Sequence, residues 1–204
     1  LRRQRQMCIR DSEDIRLRKP AAMAKYRELL REDIELFTYI QYLFFEQWTK
    51  LKAYINGLGI GIIGDIPIYV AMDSADVWAE PEFFQLDEKN LPVEVSGVPP
   101  DDFSAEGQLW GNPLYDWDKM QSDGFGWWIR RIDGAGKLYD VIRIDHFRGI
   151  ESYWAIPAVN RTARKGEWVK GPGMKLVNAI RKNCPDTDFI AEDLGFLTPE
   201  VQQL

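Results

Sequence analysis

The stretch Y-D-V-I-R-I-D-H, Tyr139–His146, decides the fold class, because it is a short apolar run that closes on an acidic residue. Two further segments share this design: G-I-G-I-I-G-D-I-P-I-Y-V at Gly59–Val70 and D-F-I-A-E-D-L-G at Asp188–Gly195. Such runs are typical of strands buried on both faces. Helical patterns at Trp127–Asp133 and Gly173–Asn183 precede the second and third runs. Strands that alternate with helices predict an α/β fold with a parallel sheet.

Acidic residues mark the ends of all three predicted strands. Asp65 follows the first run, Asp145 the second, and Glu192 and Asp193 the third. In parallel α/β folds the carboxyl ends of the strands form the face on which sites are built. We therefore expect these carboxylates to share one site.

The flanking segments have different patterns. Apolar residues recur at helical spacing over Ala22–Asn56, which predicts one core-facing amphipathic helix. Residues 71–126 are broken by Pro and Gly, which predicts a long inserted loop region or small subdomain. In that region Trp78 is interpreted as a packing residue. For Trp110 a sugar-stacking role and a core role both remain open.

Charge and hydropathy exclude several classes of protein. Residues 1–20 hold seven basic and three acidic residues, whereas the whole chain of 204 residues has a net charge of −6. The acidic body argues against nucleic acid as a partner. No apolar run reaches the roughly 18 residues of a membrane span. Residues 1–20 have no secretory apolar region and the first twelve match no helix or strand period, so we expect residues 1–20 to be a disordered or artefactual leader.

Two cysteines, Cys8 and Cys184, are too few for a disulfide framework or a zinc site, and the default location is cytoplasmic. Aromatic residues make up 13% of the chain, enough to fill a core or to line a site for the apolar faces of sugars.

The acidic residues permit acid/base or nucleophilic chemistry. Neighbouring strands lie about 4.8 Å apart, so Asp145 and Glu192 could lie roughly 5 Å apart, as in retaining glycosidases. Arg143 points to the same side of the sheet as Asp145 by period-2 alternation, and we expect its charge to keep Asp145 ionised. Glu192 must then start protonated, with a raised pKa.

Competing chemistries fit less well. Magnesium on Asp65, Asp145, Glu192 and Asp193 would suit a phosphate substrate, but no Gly-rich phosphate loop follows any of the strands. His146 is the single histidine, which argues against a zinc site built on histidines. A Ser-His-Asp triad would lack its G-x-S-x-G elbow.

Five motifs, taken together, resemble the 4-α-glucanotransferases, also called amylomaltases or disproportionating enzymes, of the α-amylase clan. They are G-D-I-P-I-Y-V (Gly64–Val70), G-V-P-P-D-D-F (Gly97–Phe103), W-G-N-P-L-Y (Trp110–Tyr115), R-I-D-H-F-R-G (Arg143–Gly149) and A-E-D-L-G (Ala191–Gly195). Each motif alone is weak, but they occur in the family's order. The resemblance runs from about Phe37 to the end of the chain.

The resemblance implies a (β/α)8 TIM barrel that cuts an α-1,4-glucan and transfers the released segment to the 4-hydroxyl of another glucan. It implies Asp145 as the nucleophile and Glu192 as the general acid/base. Substrate-binding roles are implied for Asp65, Gln108, Trp110, Arg143 and His146. It implies no cofactor and no metal, and it leaves the oligomeric state unknown.

The chain also departs from the family pattern. The family's third acidic residue lies in a His-Asp motif near a later strand, and no second histidine occurs before Leu204. We therefore expect residues 21–204 to be the central part of a barrel, with about three strands, and we expect this fragment to be inactive alone. Two alternatives stay open: an α-glucan hydrolase of the same clan and a non-catalytic carbohydrate-binding protein.

Overall fold

The structure is a computed structural model that describes residues 12–192 and 198–204. The chain divides into two compact units, residues 1–62 and residues 63–204.

The described part of the first unit is helical. Helix α1 spans Glu13–Arg16, α2 spans Pro20–Leu29 and α3 spans Arg31–Gly57. The predicted helix over 22–56 is confirmed, but it is interrupted at Leu30, which has φ −107° and ψ 18°. Helix α3 is followed by Gly59, whose φ of +77° is the left-handed conformation that glycine adopts readily.

The prediction that this helix faces a core is wrong, since α2 and α3 contain no buried residue. The apolar residues of α3 come in adjacent pairs, such as Phe44 and Phe45, both 46% exposed. Neighbours in sequence are separated by about 100° around a helix, so these pairs spread the apolar surface over several faces.

The expectation of a leader over 1–20 is also wrong for residues 13–20, because α1 and the start of α2 are regular helix and Ile15 is buried. Acidic Glu13 and Asp14 in the first turn and Arg16 in the last suit the helix dipole. Residues 1–11, with Cys8, lie outside the described residues.

The second unit contains the predicted parallel sheet. Strands β1 (Ile63–Pro67), β4 (Val141–Asp145) and β7 (Asp188–Ala191) lie in the order β1-β4-β7, all parallel. Helices α6 (Gly126–Gly136) and α7 (Met174–Asn183) precede β4 and β7, as the sequence predicts.

Burial of this sheet differs from the expectation of strands covered on both faces. In β1, Ile66 is buried whereas Ile63 is 62% exposed. Ile142 and Ile144 of β4 belong to the core, which also contains Trp128 and Ile132 of α6. Burial therefore alternates along β1 and β4, and one face of each is covered within the described residues.

A second sheet, which the sequence analysis does not predict, is antiparallel with the order β3-β2-β5-β6. Its strands are β2 (Glu94–Val98), β3 (Gln108–Pro113), β5 (Ser152–Pro157) and β6 (Glu167–Lys170). The region 71–126 is thus largely structured. It also carries helices α4 (Ala75–Ala79) and α5 (Trp117–Ser122) and a 3-10 turn at Pro81–Phe83. A second 3-10 turn at Phe147–Ile150 follows β4, and α8 spans Pro199–Gln202.

Gly97 lets β2 and β3, the last two strands at one edge of the antiparallel sheet, pair closely. A Cβ atom built at this position would lie 2.2 Å from the backbone oxygen of Gln108 and 2.6 Å from Cδ1 of Ile156. No side chain fits at such distances, so β2 and β3 approach each other only with glycine at residue 97.

Candidate active site

The acidic residues predicted to share a site do come together at the carboxyl ends of the parallel strands. Pro67 is the register partner of Asp145, and Asp65 is the partner of Arg143. Asp65 therefore lies inside β1, two positions before the level of Asp145, and not at the strand end. Glu192 directly follows β7, and its backbone N–H donates to the Ile144 oxygen at 3.1 Å.

Arg143 connects all three carboxylates. Its Nη1 lies 2.6 Å from Oδ1 of Asp65 and 3.6 Å from Oδ1 of Asp145, and its Nη2 lies 2.7 Å from Oε1 of Glu192. The prediction that Arg143 and Asp145 point to the same side of the sheet is confirmed. One guanidinium thereby fixes the relative positions of side chains from β1, β4 and the end of β7.

The pKa values of Asp145 and Glu192 are shifted in the opposite sense from the one the sequence predicts. A hydrogen bond with Glu192 is the main factor that raises the pKa of Asp145 to about 6, and partial burial and the charge of Glu192 add to it. The pKa of Glu192 is lowered, first by that hydrogen bond and then by the N–H of His146. Arg143 does oppose the rise at Asp145, but it is the smaller effect.

His146 is held by a tight turn after β4. Its φ of +51° is in the left-handed region, and in this conformation its backbone N–H donates to Oε2 of Glu192 at 2.6 Å. Burial is the main factor that lowers the pKa of His146 to about 4, and the charge of Arg148 contributes. The imidazole is therefore neutral at pH 7, so one nitrogen donates and the other accepts hydrogen bonds.

Trp110 lies beside this histidine. Its ring meets the His146 ring edge-on at a centroid distance of 4.8 Å, and its Nε1 donates to Oε1 of Gln108 at 3.1 Å. Tyr69 packs on another side, with ring centroids 6.4 Å apart. Trp110 is 37% exposed, so the ring is anchored and yet part of it is open to solvent. Of the two roles left open for Trp110, this position favours a surface that can contact a ligand.

These residues line one cleft of about 980 Å³, which contains Asp145, Glu192, His146, Gln108 and Trp110. Its volume is at the upper end of the range for clefts that bind small molecules.

Elsewhere in the described chain, Tyr115 is fully buried in the core, and its hydroxyl donates to the Ile68 oxygen at 2.7 Å.

Within residues 12–192 and 198–204 no three His, Cys, Asp or Glu side chains form a group suited to a metal ion. None of the helices in the described segments has the length and apolar character needed to cross a membrane. Asp193, included in the magnesium alternative, lies outside the described residues. The cytoplasmic location stays a prediction.

Two cleft residues were missed by the sequence analysis. Arg148 is 5% exposed, and its guanidinium carbon lies 3.9 Å from the centre of the Trp168 ring. Arg148 belongs to the quoted motif Arg143–Gly149, which is the signal that could have identified it. Trp168 lies in β6, where its register partner is Trp154 of β5, and no local pattern in the sequence distinguishes it.

Known proteins that are similar to this chain identify its family. A family model described as 4-alpha-glucanotransferase matches residues 3–204. The match therefore begins well before Phe37, where the resemblance in the motifs was expected to begin. A 4-alpha-glucanotransferase of Streptococcus pneumoniae is 53% identical over 94% of this chain, and that of Thermus thermophilus is 52% identical over 93%.

The chain spans 38% of the length of these two relatives. Among solved structures, an amylomaltase from Streptococcus agalactiae in complex with acarbose has a TM-score of 0.91 and 46% identity, covering 95% of this chain and 39% of that one. An amylomaltase from Corynebacterium glutamicum, at 22% identity and a TM-score of 0.73, shares the fold. Motif order, site geometry, family model and relatives agree, and the chain belongs to the 4-alpha-glucanotransferase family.

Proposed function

We propose that the full-length protein transfers α-1,4-glucan segments between maltodextrins by a retaining double displacement. The observation that carries the proposal is the Asp145–Glu192 pair, two carboxyl groups close enough to share a hydrogen bond in an open cleft. Retaining enzymes hold their carboxyl groups about 5 Å apart, whereas inverting enzymes separate them by roughly 6.5–9.5 Å to admit a water. The close pair therefore supports retention.

In the first step the Asp145 carboxylate attacks the anomeric carbon and forms a glucosyl ester. The bond to the leaving glycosidic oxygen breaks, and Glu192 gives that oxygen its proton. In the second step Glu192 takes the proton of an acceptor 4-hydroxyl while that oxygen attacks the anomeric carbon of the glucosyl ester. The new glycosidic bond forms and Asp145 leaves as a carboxylate.

The first step needs a proton on Glu192, whereas without ligand the pKa of Asp145 is raised and that of Glu192 is lowered. A bound glucan supplies the reason for the exchange. The glycosidic oxygen accepts a hydrogen bond from Glu192 only when Glu192 is protonated, and positive charge developing at the anomeric carbon favours ionised Asp145. Because the two carboxyl groups already share a hydrogen bond, the proton has a direct route between them.

The neighbouring side chains are assigned to binding. Asp65 is 61% exposed at its side chain and is proposed to accept hydrogen bonds from sugar hydroxyls. Arg143 offsets the negative charge of the three acids, and neutral His146 hydrogen-bonds a hydroxyl near the nucleophile. Trp110, oriented by Gln108, offers its open surface to a sugar ring.

We also infer that the three-stranded parallel sheet is part of a (β/α)8 barrel. The similarity to the amylomaltase structure, with a TM-score of 0.91, supports this. A site at the carboxyl ends of parallel strands is the arrangement that TIM barrels share.

The test is the product pattern that the full-length enzyme forms from maltotriose. Glucose together with longer maltodextrins means transfer and is the expected result. Shortening alone would mean hydrolysis, and binding without any change would mean a carbohydrate-binding protein. Either of these two outcomes would overturn the proposal.

A further inference from the structure

Trp168 lines the same cleft as the proposed catalytic pair, and it lies in none of the five motifs. It lies in β6, an outer strand of the antiparallel sheet, and Trp110 lies in β3, the outer strand on the other side. Three strand spacings separate β3 from β6, which is about 14 Å. The two tryptophans therefore belong to different parts of one cleft.

The Trp168 ring is accessible although its orientation is fixed. Trp168 is 43% exposed, in contrast to most aromatic residues of this unit, which are in the core. The Arg148 guanidinium is stacked 3.9 Å from its ring centre, and its register partner Trp154 meets it edge-on at 5.4 Å. A cation over the ring and an aromatic edge beside it stabilise one orientation.

Arg148 has few other partners. Its Nη2 donates to the Ser152 hydroxyl at 3.3 Å, whereas Nε and Nη1 have no hydrogen-bond acceptor in the part of the chain that the structure describes. The stack on Trp168 is thus a principal contact of a cation that is 5% exposed. Burying a charged side chain is costly. Here the buried Arg148 guanidinium holds the Trp168 ring in place, and that ring is 43% exposed to solvent.

Polar groups surround the ring. Lys170, two residues further along β6, forms an ion pair with Glu151, which also accepts from the Ser152 hydroxyl at 2.5 Å. All three of these residues line the cleft. An apolar ring face with hydrogen-bonding groups around it suits a sugar, whose ring face is apolar and whose edge carries hydroxyls.

We propose that Trp168 is the platform of an additional glucose-binding subsite, supported by Arg148, which engages long α-1,4-glucans. This inference rests on the proposed function, because the subsite extends the groove around Asp145 and Glu192. Because β6 lies about 14 Å from the strand of Trp110, we expect Trp168 to contribute more to long chains than to a short glucan bound at the catalytic pair and Trp110.

The experiment compares full-length wild type with Trp168→Ala and Trp168→Phe. KM is measured for maltotriose and for maltoheptaose, and the equilibrium Kd of both is measured by calorimetry with Glu192→Gln added to each protein, so that the ligand is not converted during the titration. We expect Trp168→Ala to raise both constants for maltoheptaose about two- to tenfold, the range of one aromatic contact, and to leave both within about twofold for maltotriose. Trp168→Phe keeps a ring and should restore most of the affinity for maltoheptaose.

Two controls separate binding from folding. Val159→Ala trims a side chain that is 90% exposed and outside the cleft lining, and it should change neither ligand's affinity. If Trp168→Ala lowers the melting temperature strongly, the chain-length comparison is made with Trp168→Phe. A general packing defect would affect maltotriose and maltoheptaose alike, and that result would overturn the subsite.

The readouts also separate this inference from the proposed function. Transfer activity with equal maltoheptaose affinity in wild type and both variants would overturn the subsite and leave the function standing. Weaker maltoheptaose binding by Trp168→Ala in a protein without turnover would overturn the function and support the subsite.

Discussion

At the residue scale, Arg143 and the N–H of His146 determine how charge is shared in the cleft. Both lie next to Asp145 in the chain, yet their shorter contacts are with Glu192, at 2.7 Å and 2.6 Å. Arg143 lies 3.6 Å from Asp145. The ionised form of Glu192 is therefore the better stabilised of the two, and Asp145 has the higher pKa.

The motif identifies these residues but does not predict which of the two acids has the higher pKa. The two pKa values depend on the left-handed turn at His146, which directs its backbone N–H at Glu192. They also depend on the orientation of the Arg143 guanidinium, which places Nη2 at Glu192 and Nη1 at Asp65 and Asp145. Neither feature is visible in the sequence, because both arise from the register of three strands.

Glu192→Gln in the full-length enzyme tests this proton sharing. An amide removes the negative charge of residue 192 and can donate to Asp145, so the pKa of Asp145 should fall from about 6 toward the ordinary value of about 3.9. Carbon NMR of labelled aspartate carboxyls, with Asp145→Asn for assignment, measures the change. Glu82→Gln, an exposed acid, should have no effect. An unchanged pKa in Glu192→Gln would contradict the shared proton.

His146 makes stability depend on pH. Its pKa is about 4 in the folded protein and about 6.5 when unfolded, so the unfolded state binds more protons between these values. Stability should therefore decrease as the pH falls from about 6.5 to about 4. His146→Asn removes this titration, and Asn tolerates the left-handed backbone at φ +51°.

Urea unfolding of wild-type and His146→Asn full-length enzyme at pH 7 and pH 4.5 measures this difference. The variant should lose less of its free energy of unfolding between the two pH values. Parallel losses in both proteins would show that His146 is not held in its neutral form.

At the element scale, the two sheets differ in how far the sequence predicts them. Each parallel strand is a local apolar run that ends near an acid, and all three runs form strands. The antiparallel strands have no such signal. Gly97 has partners in β3 and in β5, and the latter lies more than 50 residues further along the chain. The β2–β5 pairing that joins the two halves of this sheet therefore lies between segments distant in sequence, and the Pro and Gly residues of 71–126 hid the strands from a local pattern.

Gly97→Ala should disturb the element that carries Gln108 and Trp110. The added methyl group would meet the Gln108 backbone oxygen at 2.2 Å, so β3 must move away from β2. We expect a loss of about 1–3 kcal/mol in the free energy of unfolding, as for other overpacked sites. KM for maltodextrins should rise, because Trp110 moves with β3.

Gly134→Ala is the matched control for this change. Gly134 lies in α6, and a Cβ there meets no atom within 4 Å. Replacing a helical glycine with alanine should stabilise by roughly 0.5–1 kcal/mol and leave KM unchanged. If Gly97→Ala unfolds at the wild-type denaturant concentration and retains its KM, the close approach of β2 and β3 does not position Trp110.

At the scale of the whole molecule, the 204-residue chain leaves much apolar surface uncovered. Among the described residues β1 and β7 each pair only with β4, so the parallel sheet has two open edges. Parallel sheets are normally covered on both faces, and unpaired edges promote aggregation. Helix α3 adds exposed rings, including Tyr39, Tyr42 and Tyr54.

We therefore expect the purified 204-residue chain to self-associate and to have no transferase activity. Light scattering and product analysis with maltotriose measure the two properties. The full-length enzyme at the same concentration is the control. A monomeric 204-residue chain that turns over maltotriose would show that the described surfaces are sufficient by themselves.

Trapping of the glucosyl-enzyme tests the central claim, that Asp145 is the nucleophile of a retaining transfer, most directly. Full-length Glu192→Gln is treated with α-maltotriosyl fluoride, whose fluoride leaves without an acid catalyst, and the digested protein is analysed by mass spectrometry. The account predicts a maltotriosyl adduct on Asp145. In otherwise wild-type enzyme, Asp145→Asn should lower kcat by several orders of magnitude, because the covalent step needs the carboxylate; its matched control Asp186→Asn, an exposed acid, should not. An adduct on Asp65, or turnover retained by Asp145→Asn, would contradict it.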